Sequence, residues 1–205
     1  MSRAAPKDAK RLSFEEYLNL EEHSPTRHEF VDGFMFAMAG GTTQHNQISN
    51  NINIRAALAA RGSDCRVYIA DVKIRTPDGT GFYPDVFVIC DEDDEDARDN
   101  RVKRRPCFIV EVLSASTEAF DRGEKFLQYL QIPSLQAYVL VSQDRKLIEV
   151  YRRMPDGAWR YEKIQETGTL ELPCINLSMT LEEVYEDVEF QRPTDPNLSE
   201  DNSIQ

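Results

Sequence analysis

The chain has 205 residues, 40% of them apolar and 29% charged, with a formal net charge of −12. That is enough apolar material for one core of domain size and too much for a wholly disordered chain, while no stretch approaches the roughly 18 uncharged apolar residues of a membrane span. The acidic total argues against a generic nucleic-acid binder.

Residues 1–11 read as a polar, basic, flexible N-terminal arm, and 12–190 as a single domain. Ser13 followed by Glu16 has capping-box spacing, and Phe14, Tyr17 and Leu18 supply apolar helical positions, which predicts a helix over 13–22. Asp32-Gly33 inside the apolar run 29–38 predicts strand–turn–strand. After Gly40-Gly41 come Thr42 and Thr43 as caps, then Ile48, Ile52, Leu58 and Ala59 at near-helical spacing, giving a helix over 43–61. From Cys65 the period becomes strand-like. Segments 66–75 and 82–90, joined by a turn over 76–81, read as a hairpin.

The acidic-then-basic stretch 91–105 reads as a solvated loop, and 107–113 as a buried central strand. Ser116 or Thr117 caps a predicted helix running to Ile132, with Phe120, Phe126, Leu127 and Leu130 on its apolar face. A strand over 137–142 follows, then a hairpin of 146–151 with 159–164 around Pro155-Asp156-Gly157, a short helix near Leu181–Tyr185, and a disordered acidic tail over 191–205. The middle of the chain is therefore an α/β unit of order αβββαβ: a mixed central sheet flanked by helices, with additional β-hairpins.

Charge is distributed unevenly along this order. Residues 182–205 hold eight acids against Arg192, and 91–99 hold seven against Arg98; elsewhere the charges nearly cancel. A polyanionic substrate is thus compatible with the body of the protein. Cys65, Cys90, Cys107 and Cys174 stand far apart without a C-x-x-C pair, and read as buried reduced thiols rather than a zinc site or disulfide framework. No apolar segment follows Arg3, Lys7, Lys10 and Arg11, so the expected location is cytoplasmic.

The informative residues are acids in apolar strands. Asp85 stands in Tyr-Pro-Asp-Val-Phe-Val and Glu111 in Phe-Ile-Val-Glu-Val-Leu. An ionised carboxylate there must pair, protonate or bind a cation. If the strands are neighbours, the two acids converge on one hard cation, which suits Mg²⁺. Lys125, on the helix after Glu111, is the cation that could orient an attacking water, although Asp121 and Lys125 at i, i+4 also have the spacing of a surface salt bridge. His23 and His28 lack a metal-binding spacing, and Ser114 and Ser116 lack a nucleophile elbow.

Glu29…Asp32-Gly33, His45 opening a helix, Tyr83-Pro84-Asp85-Val86, Ile109-Val110-Glu111-Val112-Leu113-Ser114 and Asp121-Arg122-Gly123-Glu124-Lys125 with Tyr129 form an ordered set. Over Ser13–Val188 that set resembles the Uma-type "putative restriction endonuclease" family, a branch of the PD-(D/E)XK nuclease superfamily. The resemblance implies a restriction-endonuclease-like fold and metal-assisted hydrolysis of DNA. It implies Mg²⁺, with Mn²⁺ as a substitute, held by Asp85, Glu111 and the Val112 carbonyl, with Lys125 aligning the nucleophile. Glu29 and His45 fall at family-typical positions and are carried as site residues; Tyr129 reads as packing. Where the superfamily places a lysine, two positions after Glu111, this chain has Leu113, and Lys125 stands in its stead on the following helix. The expected partner is DNA, without a membrane, and cutting two strands by symmetry suggests a homodimer. Arg101–Arg105 and the N-terminal arm are the expected phosphate contacts. The contrasting reading is a catalytically silent nuclease fold serving as an interaction or assembly module.

Overall fold

The computed structural model describes residues 10–95 and 100–190. Helix α1 (Phe14–Glu22) starts where Ser13 accepts the Glu16 N–H and the Glu16 carboxylate accepts the Ser13 N–H at 2.7 Å, the predicted capping box. Strands β1 (His28–Val31) and β2 (Phe34–Ala37) form the predicted hairpin. Its two turn residues, Asp32 and Gly33, both have positive φ, 51° and 86°, the geometry that matches the twist of paired strands. Thr42 caps α2 (Thr43–Ala59) by accepting the His45 N–H, and Ile48, Ile52 and Ala56 form its buried stripe.

Next come β3 (Arg66–Ile69), β4 (Lys73–Arg75), β5 (Gly81–Phe82) and β6 (Val86–Ile89). Then follow α3 (Glu92–Glu95), β7 (Val102–Lys103), β8 (Pro106–Leu113), α4 (Glu118–Asp121), α5 (Glu124–Leu130) and β9 (Ala137–Ser142). The chain closes with β10 (Leu147–Arg153), β11 (Trp159–Gln165), β12 (Thr169–Leu172), a 3₁₀ turn (Pro173–Ile175), β13 (Leu177–Thr180) and α6 (Leu181–Val184). Six strands make the central sheet, in the order β11-β10-β9-β8-β6-β3; β8 and β9 run parallel and the other neighbours antiparallel. A second sheet has the order β2-β1-β5-β4-β7. The expected mixed α/β architecture with extra hairpins is what the chain adopts.

The predicted hairpin 66–90 is real but bent. Its outer half, β3 with β6, belongs to the central sheet, and its inner half, β4 with β5, belongs to the second. The bends fall at 70–72 and 83–85, where the Ala70 N–H reaches the Pro84 carbonyl at 3.1 Å. Pro84 has no N–H to give a ladder, so the strand changes sheets there. Asp85 is consequently not in mid-strand, as its apolar flanks suggested, but at the joint between the two sheets.

Each face of the central sheet has its own core. Val86, Val88, Phe108, Val110 and Val112 pack toward α2, α6 and the β12–β13 hairpin. On the other face Phe87, Ile109, Leu113, Tyr138 and Leu140 pack with Phe120 of α4, Tyr129 of α5 and Phe82 of β5. Alternation along β8 puts Glu111 on this second face. An apolar side chain buried there contributes about 1.5–3 kcal/mol. Burying a lone carboxylate costs several kcal/mol, so the strand can hold Glu111 only with partners.

Three further expectations are corrected, and one hairpin is added. The helix expected from 117 to 132 breaks into α4 and α5: at Gly123 a Cβ would lie 3.0 Å from the Ala119 carbonyl, and the Tyr138 hydroxyl donates to the Asp121 carbonyl at 3.0 Å, taking an acceptor from the helical ladder. The stretch 91–105 is not simply a solvated loop. Asp94 is buried and accepts the Arg104 and Arg105 N–H groups at 2.7 and 2.6 Å, and the buried Lys103 donates to the Asp94 carbonyl. Two hairpin strands, β12 and β13, occupy a stretch left unassigned. The cysteines are not free: Cys65 pairs with Cys90 and Cys107 with Cys174, because the fold gathers residues separated by 25 and 67 positions. The basic arm, apart from Lys10 and Arg11, and the acidic tail lie outside the described residues.

Candidate active site

One cleft at the joint between the sheets is lined by Glu29, His45, Asp85, Glu111, Val112, Asp121 and Lys125. Every residue singled out in the sequence for a site role is among them. Asp85 enters from the bend after Pro84, and its Oδ2 accepts the Val112 N–H at 2.7 Å, which fixes the carboxylate against β8. His45 enters from the first turn of α2, with Nε2 3.2 Å from the same Oδ2. Its ring lies against Gly41, where a Cβ would come within 3.1 Å of Nδ1, so the glycine makes room for the imidazole. Glu29 enters from β1 in the second sheet.

Lys125 is at the centre. Its Nζ lies 2.9 Å from Glu111, 3.0 Å from Glu29 and 3.3 Å from Asp121. The ammonium also lies over the Phe82 ring, 5.5 Å from its centroid. Thus the amine does reach the acids from the helix, while Leu113 packs as an apolar core residue. The Asp121–Lys125 pair, whose spacing also fits a solvated surface bridge, is buried, with both side chains at most 5% exposed.

Two residues of this arrangement escaped the sequence reading. Asp121 belongs to the site. Tyr129, read as packing, also donates its hydroxyl to Glu111 Oε1 at 3.0 Å. The available signal was the spacing: Asp121, Lys125 and Tyr129 follow each other at i, i+4 and i+8 in the stretch expected to be helical.

The electrostatics follow from this crowding. Burial pushes the Glu111 carboxyl well above the carboxylate range; Lys125 pulls it down, while Asp85 and Asp121 push it further up. At Lys125 burial opposes the charge but is outweighed by Glu111, Glu29 and Asp121, so the ammonium is held well above its usual value. Burial also opposes charge on His45, yet the bond to Asp85, the charges of Asp85 and Asp121, and the Val112 backbone raise it overall. Burial, reinforced by Glu111, keeps the Tyr129 hydroxyl protonated as a donor. Three carboxylates therefore share one permanent cation, and a fourth, Asp85, stands nearby on His45 and the Val112 N–H. A hard divalent cation fits that donor set, which combines carboxylate oxygens with backbone beside Val112 and is short of positive charge.

The rim differs from the expectation. Arg101 pairs with Glu15 and bonds Asn19, Arg105 pairs with Asp91 and Asp93, and Lys103 is buried, so these three of the expected phosphate contacts are engaged within the protein. Beside the cleft, Arg27 and Lys73 lie 5.7 and 5.1 Å from the ring centroid of Tyr83, itself a lining residue, with Arg27 paired to Asp71 at 2.6 Å. Among the described residues no helix is long and apolar enough to cross a membrane.

Residues 14–182 match the Uma2 family, described as "Putative restriction endonuclease". An uncharacterized protein of Synechocystis sp. is 39% identical over 181 residues, covering 88% of this chain and 94% of its own length. A second from the same organism is 32% identical over 149 residues, 72% and 84% of the respective chains. In fold, the chain is similar to the crystal structure of a "putative nuclease belonging to DUF820" from Anabaena variabilis, with a TM-score of 0.71 at 14% identity over 85% of this chain and 97% of that one. The match spans the elements that build the cleft, from α1 to α6, and the chain belongs to the Uma2 family, of restriction-endonuclease-like fold.

Proposed function

We infer that the protein is a Mg²⁺-dependent endonuclease that hydrolyses phosphodiester bonds of DNA. The observation that carries this reading is the convergence of Asp85, Glu111, Glu29 and Asp121 on one cleft, the last three around a single buried ammonium. Asp85, Glu111 and the Val112 carbonyl are the residues that would hold the cation. When bound, Mg²⁺ lowers the pKa of a water and offsets the charge of the phosphate oxygens.

The chain's own residues supply the rest. Lys125 remains an ammonium under its three carboxylates, and in this reading it orients a nucleophilic water by exchanging one of those three bonds for the water. Glu29 and Asp121 hold that ammonium in place, and Tyr129 fixes the Glu111 carboxylate. His45 steadies Asp85 and, with its raised pKa, can carry a proton at Nε2 beside the reacting phosphate.

Nicking of supercoiled plasmid with Mg²⁺ or Mn²⁺, compared across wild type, Asp85→Asn, Glu111→Gln and Lys125→Met, tests the reading. Metal-dependent nicking in wild type, lost by at least a hundredfold in each variant, is the expected result. Mg²⁺ binding without cleavage of plasmid or single-stranded DNA would favour the interaction-module reading, which the ion pairs of Arg101 and Arg105 within the protein support.

A further inference from the structure

A second constellation lies away from the cleft, at the opposite ends of the strands that build it. Cys65 immediately precedes β3, Cys90 immediately follows β6, Cys107 lies near the start of β8, and Cys174 lies in the 3₁₀ turn between β12 and β13. The sulfurs of Cys90, Cys107 and Cys174 all lie within 4.8 Å of one another. Cys65 joins them through its bond to Cys90, with its Sγ 3.7 Å from the Cys174 carbonyl oxygen. Segments distant in sequence thus bring three sulfurs to one point, with the fourth, Cys65, bonded to one of them at its edge.

The arrangement does more than hold two independent disulfides. Cys90 Sγ and Cys107 Sγ, which are not bonded to each other, are 3.7 Å apart. A tetrahedron with Zn–S bonds of about 2.3 Å has an edge of about 3.7–3.8 Å. Cys65 and Cys107 are buried, whereas Cys90 and Cys174 are partly exposed, so an ion has an entry path. Beside the cluster, the Arg66 guanidinium donates to the Cys65 carbonyl at 2.9 Å, placing a cation next to what would be a doubly negative tetrathiolate centre.

We propose that the reduced protein binds one Zn²⁺ through Cys65, Cys90, Cys107 and Cys174, and that the disulfide form is the metal-free alternative of the same site. The balance is simple. Two equivalents of a dithiol reductant supply four electrons and four protons to the two protein disulfides and become disulfides themselves. Zn²⁺ then displaces the four thiol protons, with no further redox change. The ion would tie the 3₁₀ turn and its hairpin to the β3, β6 and β8 ends of the central sheet.

Protein reduced anaerobically with excess dithiol, then freed of it, is titrated with Zn²⁺ against a chromophoric chelator and, separately, with Co²⁺. The expected result is one Zn²⁺ per chain and a Co²⁺ spectrum with thiolate-to-metal charge transfer and intense tetrahedral d–d bands. The disulfide form should show neither. Cys174→Ser, in a partly exposed turn, should weaken Zn²⁺ binding at least tenfold, and Cys65→Ser should weaken it as well. Asp85→Asn and Glu111→Gln should keep the cobalt–thiolate spectrum, which separates this site from the acidic cleft and from the nuclease reading. A reduced wild type that takes up no Zn²⁺, a Co²⁺ spectrum without charge transfer, or full affinity in Cys174→Ser would overturn the proposal.

Discussion

The molecule contains two groups of clustered acids, and they behave in opposite ways. In the cleft, Glu29, Glu111 and Asp121 are buried and share one ammonium, with Asp85 close by. At the start of the 91–99 run, Asp91 and Asp93 meet Arg105 near the surface, and Asp94 turns inward to accept backbone N–H groups. The second group has its compensation: opposite charge in solvent, or hydrogen-bond donors where it is buried. In the first, burial raises Glu111 because positive charge is short. Acid count alone distinguishes nothing; burial against charge balance separates a buried carboxylate cluster from a solvated face.

The contrast can be broken most strongly at Lys125. Lys125→Ala removes the ammonium shared by three buried carboxylates and should cost about 3–5 kcal/mol of stability, read by urea denaturation. A loss below ~1 kcal/mol would mean that the cleft acids are neutral or hydrated and that the contrast is false.

Mg²⁺ sharpens the same contrast from the other side. At 100 times its Kd it should stabilise wild type by about 2.7 kcal/mol and leave Asp85→Asn unaffected. The effect also depends on pH. The raised Glu111 carboxyl favours the fold in its protonated form, a contribution present below the unfolded pKa and lost as pH rises through the folded value. Mg²⁺ needs the ionised form. Its stabilisation should therefore grow with rising pH and fade as pH falls through the elevated Glu111 value, above the usual carboxylate range; thermal melts over a pH series measure this. Equal stabilisation at every pH would remove Glu111 from the ligand set.

Smaller effects belong to the second group. Asp94→Ala leaves the Arg104 and Arg105 N–H groups without their acceptor and should cost about 1–3 kcal/mol. Arg105→Ala, which removes only solvent-exposed pairs, should leave the denaturation midpoint unchanged within error. A marked loss there would show that the surface acids also need their cations.

Much of this was legible in the chain because local chemistry is written locally. Ser13 with Glu16, Asp32-Gly33 and Thr42 announced their cap, turn and helix start, and the structure uses each as announced. Asp85, Glu111 and Lys125 stood out because charged groups in apolar segments need a reason. What escaped depends on contacts between distant segments. The bend at Pro84 reads as a strand until two sheets compete for it. The break at Gly123 depends on the Tyr138 hydroxyl, and Tyr129 acquires a role only because Glu111 lies beneath it. The cysteines are the clearest case, since spacing in sequence carries no information about three sulfurs gathered by tertiary folding, with Cys65 bonded to one of them.

Calorimetric titration of Mg²⁺ into wild type and Asp85→Asn tests the central claim most directly. The account predicts saturable binding to wild type at one or two ions per chain and none to the variant, with both proteins folded by circular dichroism. Absence of binding to wild type, or identical isotherms for the two proteins, would contradict it.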